Sequence, residues 1–371
     1  MDDRSFVAAQ DFLLSSKTFW TKRIYEDLKR TYEDAVARSG ETPTTPADVA
    51  AILEGDTLYR YFAWLERHLQ RLKYAGRYGL VPYHDERRSV LAPPLRDTGA
   101  ELSPTLEMPS YYRRVDIHQH PGGVFSDELD GYVYERGARS TTPLMGASHA
   151  DLHHRFTDLV AAKDAERVLY GRILDMGCGF GKSTQPFHEA YPDARIDAID
   201  LSGPCLALAA HQAPSRSSPK VRFRQMNACA TDYEPDSFDL VTSTMLVHEL
   251  PPGEIEKLFA EAARILAPGG RMVHLDFHAI DGPFARFMHY GHGLRNNEPF
   301  MQPWAEMDIH ASLSDKGFTN IKVIPFQEAE GVDLENHAAW RFPWTVIQAE
   351  LKTSGKTSLQ TASSYPSGSE K

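Results

Sequence analysis

The sequence predicts an α/β fold with a mostly parallel sheet, preceded by a mainly helical N-terminal region. Three observations support this prediction. Residues 172–200 match the pattern strand, glycine-rich turn, helix and strand. Strands and helices alternate from there to residue 351, and apolar residues recur at helical spacing in residues 1–77.

The segment RILDMGCGFGKS, residues 172–183, joins the first predicted strand to the first helix of this unit. Its three glycines allow the backbone to turn tightly and to approach a ligand with no Cβ in the way, and the amides at the helix start then face that ligand. The next strand ends at Asp200, about twenty residues further on, where a carboxylate can accept hydrogen bonds from both ribose hydroxyls. These residues predict a βαβ unit that binds a nucleoside.

The spacing of the glycines separates the kinds of nucleotide site. A dinucleotide fingerprint requires G-x-G-x-x-G, whereas Gly177, Gly179 and Gly181 are evenly spaced. A phosphate loop requires a glycine at the position of Met176. The pattern D-x-G-C-G-x-G instead resembles motif I of the class I S-adenosylmethionine (SAM)-dependent methyltransferases.

Two later stretches resemble the same family. Residues 236–243, DSFDLVTS, resemble its motif II, and residues 263–277 contain its R-x-L-x-P-G-G turn between a helix and a strand. The resemblance covers residues 168–351. It implies a Rossmann-like seven-stranded class I methyltransferase sheet, SAM as the cofactor and methyl transfer as the activity.

The resemblance also assigns roles to residues near the glycine loop. Asp175 is expected at the methionine end of the cofactor, Asp200 at its ribose and the loop backbone beside the sulfonium. Asn227 replaces an often acidic residue that meets the adenine amino group, and its amide oxygen can still accept a hydrogen bond. The predicted cofactor-binding residues are Asp175, Gly177, Cys178, Gly179, Gly181, Asp200, Leu201, Asn227, Ala228 and Met245.

Methyl transfer needs alignment of the reacting atoms, and it needs a base only when the acceptor must lose a proton. His248 follows the fourth predicted strand, near the expected methyl group, and is either that base or a hydrogen-bond partner of a loop. His118 and His120 would point to the same side of a strand, as two contacts to an acceptor would; a surface hairpin with hydrogen-bonded histidines is the alternative. The predicted catalytic residues are His248, Tyr290, His118, His120 and Asp276.

We divide the chain into a helical substrate-cover region (1–150), a SAM-binding domain (151–351) with a lid insertion at about 279–309, and a disordered tail (352–371). A pocket lined by His118, His120, Tyr290 and His292 is expected for the acceptor. Arginines of the cover would suit a carboxylate on it, although surface solvation is the simpler account for at least two of them. The acceptor is therefore expected to be a small molecule, with a small carboxylic acid carrying an amine, hydroxyl or thioether as the finer hypothesis. These arginines are Arg113, Arg114, Arg136 and Arg139.

The amino-acid composition excludes some classes of binding partner. The 40 basic and 51 acidic side chains give a net charge of −11, which disfavours a nucleic-acid substrate. The sequence contains no stretch of about 18 apolar residues, so no membrane span is predicted. The three cysteines show neither metal nor disulfide spacing, which indicates a reducing compartment and a cytoplasmic protein. A homodimer through the N-terminal helices is a further hypothesis.

Two alternatives to a metal-free enzyme stay open. A SAM-binding regulatory or assembly protein would need the same cofactor residues but no acceptor pocket. A metal-assisted methyltransferase is suggested by the 16 histidines, because imidazole suits several transition metals. The sequence contains no HExxH pattern and its histidines are dispersed, so no metal ligands are predicted.

Overall fold

Seven strands form one mixed sheet in the order β3-β2-β1-β4-β5-β7-β6 in the computed structural model, which describes residues 2–140, 150–163, 170–334 and 337–353. From residue 354 on, the predicted disordered tail lies outside the described residues. The strands are β1 (Arg172–Met176), β2 (Arg195–Asp200), β3 (Val221–Gln225), β4 (Phe238–Thr244), β5 (Leu266–Phe277), β6 (Phe318–Pro325) and β7 (Trp344–Leu351).

Strands β1 to β5 run parallel, and β7 lies antiparallel between β5 and β6. Four of the five residues of β1 are buried, as an apolar strand in the middle of a parallel sheet requires. The carboxyl ends of β1, β2 and β4 meet at one edge, where open parallel sheets bind their ligands. The predicted seven-stranded α/β sheet is thereby confirmed.

Helices account for most of the first 74 residues. A capping box between Thr45 and Asp48 starts the third helix, and the Asp56 side chain accepts hydrogen bonds from two amides at the start of the fourth. A short π-helical turn, Trp20–Ile24, joins the first two. The helices are α1 (Asp3–Phe19), α2 (Tyr25–Ser39), α3 (Pro46–Leu53) and α4 (Thr57–Tyr74).

The region between the N-terminal helices and the sheet differs from the prediction. Residues 76–109 contain short helices joined by loops. The expectation that His118 and His120 lie in one strand is wrong, because residues Ile117–Gln119 form a 3₁₀ turn. The helices of this region are α5 (Leu80–Asp85), α6 (Arg88–Leu91), α7 (Ser110–Arg113) and α8 (Asp130–Ala138), with a 3₁₀ turn at Pro93–Leu95.

Further helices precede β1 and separate β1 from β2, β2 from β3 and β4 from β5, and three helices lie between β5 and β6. In that last segment, α13 (Pro283–Arg295) packs against α3 and α4, so the expected lid insertion adjoins the N-terminal region. Among the described residues, none of the helices combines the length and apolar character needed to cross a bilayer. They are α9 (Ala150–Lys163), α10 (Thr184–Ala190), α11 (Gly203–Gln212), α12 (Pro252–Ile265), α13 (Pro283–Arg295), α14 (Met301–Ala305) and α15 (Ile309–Ser314), with 3₁₀ turns at Pro214–Ser217 and Val247–Glu249.

One hydrophobic core joins the N-terminal helices to the sheet. The Trp20 ring stacks on that of Phe62 of α4, and its centroid lies 5.4 Å from that of Trp340. Phe277, at the end of β5, stacks on Phe342. All five side chains belong to the same buried cluster. Complete burial of an aromatic such as Phe62 contributes roughly 1.5–3 kcal/mol. This packing fixes the N-terminal segments over the ligand-facing edge of the sheet.

Candidate active site

A large cavity opens at the carboxyl ends of β1, β2 and β4. It contains about 1270 Å³ of non-protein space, its opening to solvent included. One part of its wall comes from the glycine loop and the strand ends, and the other comes from residues between α7 and α8. We name two parts of the wall by their residues: the Asp200 end (Gly179, Asp200 and Asn227) and the His118 end (His118, Glu249, Tyr112 and Tyr134).

The glycine loop needs glycine for conformation and for space. Gly177 and Gly179 have φ angles of +67° and +53°, in the left-handed region where a side chain is strained. A Cβ on Gly177 would lie 2.8 Å from Leu246, and one on Gly179 would lie 3.8 Å from the ring of Tyr134. The loop backbone is therefore close to both parts of the cavity wall.

Asp200 holds this loop from the end of β2. Its Oδ2 accepts a hydrogen bond from the Gly179 amide at 2.8 Å, and its Oδ1 accepts one from the Ser202 amide at 2.7 Å. Burial raises the pKa of Asp200 to about 6, against the lowering effect of these two hydrogen bonds. The carboxylate lines the cavity, as predicted, without a basic side chain hydrogen-bonded to it among the described residues.

Asp175 lies behind the loop rather than in the cavity wall. Its Oδ2 accepts hydrogen bonds from Ser183 and Thr184, each at 2.7 Å, while its buried Oδ1 has no hydrogen-bond partner among the described residues. Burial raises the pKa of Asp175 to about 6. Gly181 also lies outside the wall, where its Cα faces Phe223. The expected methionine contact of Asp175 stays a prediction.

The other predicted cofactor residues do line the cavity. The amide oxygen of Asn227 accepts a hydrogen bond from the Cys229 amide at 2.9 Å, which orients the side chain. Met245 follows β4 with φ of +57°, a strained conformation for a non-glycine residue. The predicted residues found in the wall are Gly177, Cys178, Gly179, Asp200, Leu201, Asn227, Ala228 and Met245.

At the His118 end, one imidazole lies between two carboxylates. His118 Nδ1 is 3.0 Å from Glu298 Oε1, and its Nε2 is 3.1 Å from Glu249 Oε1. Although burial lowers it, the two carboxylates raise the pKa of His118 to about 9. Against burial, His118 and nearby histidines lower the pKa of Glu298 to about 2. His118 is thus an imidazolium that donates a hydrogen bond to each carboxylate.

An unusual turn positions His118. His118 and Gln119 both have positive φ angles, 57° and 56°. The side chain of Gln70, on α4, donates a hydrogen bond to the His118 carbonyl at 2.7 Å, and that of Gln119 donates one to the Arg295 carbonyl on α13 at 2.7 Å. The N-terminal helices and the insertion together hold this strained turn.

The other predicted catalytic residues lie outside the cavity wall. His248 is buried, with Nδ1 2.8 Å from Asp276 Oδ1, and Asp276 also accepts hydrogen bonds from the amides of Val247 and Phe277. Against burial, Asp276 raises the pKa of His248. This geometry favours the interpretation of His248 as a structural hydrogen-bond partner.

His120 and Tyr290 are also separated from His118. His120 is buried, its Nε2 lies 3.2 Å from Asp130 Oδ1, and its ring stacks on that of Tyr74. Tyr290, on α13, lies outside the described wall. The expected pocket of His118, His120, Tyr290 and His292 is therefore wrong in three of its members. The turn at Ile117–Gln119 separates His120 from His118, and Tyr290 and His292 lie on α13 outside the described wall.

Sequence reasoning missed both carboxylates that contact His118. Glu249 directly follows His248, and an acidic residue after a strand at the ligand-facing edge was a usable signal. Glu298 is 180 residues from His118 along the chain, and no local pattern marks it. Tyr112 and Tyr134 lie within the region expected to form the cover, and neither is among the predicted site residues.

The charges of the wall also differ from expectation. Among the described residues, no arginine lines the cavity, so Arg113, Arg114, Arg136 and Arg139 contribute no side chain to the described wall. The part of the chain that the structure describes contains no group of three or more histidine, cysteine, aspartate or glutamate side chains arranged for a metal ion.

Comparisons with known proteins agree with this fold. A family model described as "Methyltransferase domain" matches residues 173–270. A demethylmenaquinone methyltransferase of Thermus thermophilus is 36% identical over 106 residues, 29% of this chain and 47% of that protein. A ubiquinone/menaquinone biosynthesis C-methyltransferase UbiE of Methylobacterium nodulans is 30% identical over 174 residues, 46% of this chain and 66% of that protein. The chain thus spans about half to two thirds of the length of these relatives.

Among solved structures, a phosphoethanolamine N-methyltransferase 2 of Haemonchus contortus in complex with S-adenosyl-L-methionine is similar with 17% identity and a TM-score of 0.46. The similarity covers 66% of this chain and 61% of that one, and at this level it carries no information about substrate. The glycine loop, the strand order and the matched domain lead to one conclusion: the chain belongs to the class I SAM-dependent methyltransferase superfamily.

Proposed function

We propose that this chain transfers the methyl group of SAM to a small-molecule acceptor in the cavity at the carboxyl ends of β1, β2 and β4. The observation that carries the proposal is the composition of the wall, in which the glycine loop and the segments between α7 and α8 enclose the same space. Small-molecule sites are typically concave, with a few polar groups on a largely apolar wall. This cavity has such polar groups at both ends, Asp200 and Asn227 at one and His118 and Glu249 at the other.

At the Asp200 end, the residues fit an adenosine. The buried Asp200 carboxylate already accepts two hydrogen bonds from backbone amides. It still has lone pairs that can accept hydrogen bonds from ribose hydroxyls. Asn227 and Ala228 line the wall where the adenine is expected, and the amides of the glycine loop lie beside them. SAM bound here would supply a methyl group activated by a positively charged sulfur.

At the His118 end, the residues can orient an acceptor and limit access of water. Tyr112 and Tyr134 are largely buried there, and the Tyr134 ring lies 6.3 Å from the His118 ring. Reaction by in-line displacement depends on such alignment. The carboxylic-acid hypothesis lacks support, because no arginine lines the described wall and the imidazolium of His118 already contacts two carboxylates.

The homodimer remains a separate proposal. Phe12 and Phe19 of α1 and Tyr61, Trp64 and Leu72 of α4 are exposed apolar side chains on the N-terminal helices. Apolar surface of this kind is a common feature of subunit interfaces. Light scattering of the purified chain should give twice the mass of 41.7 kDa if these helices pair two copies, and the monomer mass would contradict the proposal.

Calorimetric titration with SAM and S-adenosylhomocysteine tests the proposed function, followed by an acceptor screen that detects S-adenosylhomocysteine release. Binding of both ligands and release with at least one acceptor would support methyl transfer. Binding without release on any of a broad set of amines, phenols, acids and quinones would favour a non-catalytic SAM-binding protein. Absence of binding would contradict the assignment of the Asp200 end.

A further inference from the structure

At the His118 end, the carboxylate of Glu249 lines the cavity, and one of its oxygens is not hydrogen-bonded to any of the described residues. Glu249 ends the 3₁₀ turn after β4, and 17% of its side chain is exposed in the cavity wall. Its Oε1 accepts the hydrogen bond from His118, and none of the described residues is hydrogen-bonded to its Oε2. Oε2 is therefore available to a ligand.

Glu249 shares its one hydrogen-bonded cation with a second carboxylate. Among the described residues, only the imidazolium of His118 is hydrogen-bonded to Glu249, and it also pairs with Glu298, which has His292 and His248 at 3.8 and 3.9 Å as well. The other cationic side chain in the described wall is Lys182, on the glycine loop and in the field of Glu135. An anionic ligand would meet repulsion at Glu249, and a cation would be attracted.

Aromatic rings surround the same space. Tyr111, Tyr112 and Tyr134 line the wall, and the Tyr134 ring is also 5.8 Å from that of Phe180 on the glycine loop. Burial raises the pKa of Tyr112 and of Tyr134, so both hydroxyls stay neutral at physiological pH. Neutral tyrosine rings stabilise a nearby cation through their π faces. A carboxylate and several such rings together suit an ammonium group.

We propose that the acceptor is an amine that enters as its ammonium form and is bound by Glu249 among the tyrosine rings. This proposal rests on the proposed methyl transfer and names its substrate class. The ammonium first gives one proton to Glu249 Oε2. The nitrogen lone pair then forms the new N–C bond while the methyl–sulfur bond breaks, with its electron pair left on sulfur. The products are a methylated ammonium ion, S-adenosylhomocysteine and one proton, which leaves Glu249 for solvent.

In this assignment, Glu249 is a catalytic residue and Glu298 is a positioning residue. Glu298 is nearly inaccessible and contacts His118 on the side away from Glu249, so it reaches the acceptor only through the imidazolium. A neutral ring acceptor, by contrast, would have no use for the free oxygen of Glu249. A carboxylic acid would be repelled by it.

The experiment uses three probes that share a phenylethyl group and differ in the polar group: phenethylamine, 2-phenylethanol and 3-phenylpropionate. Each is titrated calorimetrically into the full chain saturated with S-adenosylhomocysteine, and each is offered with SAM in a turnover assay. Glu249→Gln removes the charge at nearly constant volume. Glu254→Gln is the matched control, because Glu254 lies outside the described wall and is paired with exposed Lys257.

We expect phenethylamine to bind tightest of the three probes and to be methylated. Glu249→Gln should weaken its binding roughly 10- to 100-fold, as for the loss of a charge-assisted hydrogen bond. SAM affinity should stay within about twofold, and Glu254→Gln should behave as the unmodified chain. Glu249→Asp should recover part of the binding, because it restores the negative charge.

Three results would overturn the amine assignment. They are failure of phenethylamine to bind, tighter binding of the alcohol or the acid, and unchanged phenethylamine binding in Glu249→Gln. If SAM still binds and another acceptor class is methylated, the proposed function survives such a result. If Glu249→Gln instead weakens SAM as strongly as the amine, Glu249 belongs to the cofactor's own ammonium group, and the assignment also fails.

Discussion

The two ends of the cavity use the same chemical group in opposite ways. At the Asp200 end, burial raises the pKa of Asp200 to about 6, and the only hydrogen bonds to its carboxylate among the described residues come from backbone amides. At the His118 end, the imidazolium lowers the pKa of Glu298 to about 2 despite complete burial. One carboxylate is desolvated without a cation, and the other is neutralised within the protein.

This difference indicates which ligand groups each end of the cavity can bind. A buried carboxylate without a cation gains most when a ligand supplies hydroxyl or positively charged groups. The Glu298–His118–Glu249 unit is already connected internally, so it provides a fixed charge arrangement before any ligand arrives. Loss of His118 or of its buried partner Glu298 should therefore affect folding most, and changes at the Asp200 end should affect SAM affinity.

The largest expected effect comes from Glu298→Ala. It leaves His118 with one carboxylate in a buried site, and breaking such a pair costs about 3–5 kcal/mol of unfolding free energy. SAM affinity should change little, since Glu298 lies outside the described cavity wall. Urea denaturation and calorimetry measure the two quantities, and Leu294→Ala, at a 71% exposed position, is the control. Unchanged stability would show that the ion pair does not support the fold.

The second effect is a dependence of stability on pH. Because the pKa of His118 is raised from 6.5 to about 9, its contribution is complete below 6.5 and is lost as the pH rises through about 9. Because the pKa of Glu298 is lowered from 4.5 to about 2, its contribution is complete above 4.5 and is lost as the pH falls through about 2. The contribution of the pair should thus be greatest between pH 4.5 and 6.5.

Comparison with His118→Asn isolates this contribution from other titrating groups. The difference in unfolding free energy between the two proteins should fall by on the order of 3 kcal/mol from pH 6.5 to above pH 9. Denaturation series at several pH values measure it. A difference that is constant across this interval would contradict the charged state assigned to His118.

The third effect concerns Asp200→Ala. Loss of a carboxylate that accepts ribose hydroxyls should weaken SAM binding roughly 10- to 100-fold, the cost of charge-assisted hydrogen bonds. Asp193→Ala, at an exposed carboxylate that precedes the same strand, is the control and should bind SAM normally. Circular dichroism should report an intact fold for both. Normal SAM affinity in Asp200→Ala would remove Asp200 from the cofactor site.

The same comparison explains which parts of the molecule could be predicted from the sequence. The Asp200 end comes from a continuous βαβ unit, so glycine spacing and strand periodicity were enough to identify Gly179 and Asp200. The alternation of strands and helices predicted the mostly parallel sheet, and the family resemblance implied its seven strands. These features depend on residues close together along the chain, where local conformation and burial determine the structure.

The His118 end could not be predicted in the same way. Its geometry requires positive φ angles at His118 and Gln119, which depend on hydrogen bonds from distant helices. Its charge depends on Glu298, which reaches His118 only after α13 packs on α3 and α4. The strand prediction for this segment failed because tertiary contacts outweighed the local pattern.

The smallest expected effect is a loss of SAM affinity on mild acidification, and it separates the two ends most directly. With the pKa of Asp200 raised to about 6, its carboxylate is mostly protonated at pH 5, so SAM should bind about tenfold more weakly there than at pH 7.5. In Asp200→Asn this dependence should be reduced, because no titrating oxygen remains at that position. Phenethylamine binding to the S-adenosylhomocysteine complex should vary less, because the amine is bound at the His118 end and not by Asp200. Equal losses for both ligands would mean that the two ends titrate as one site.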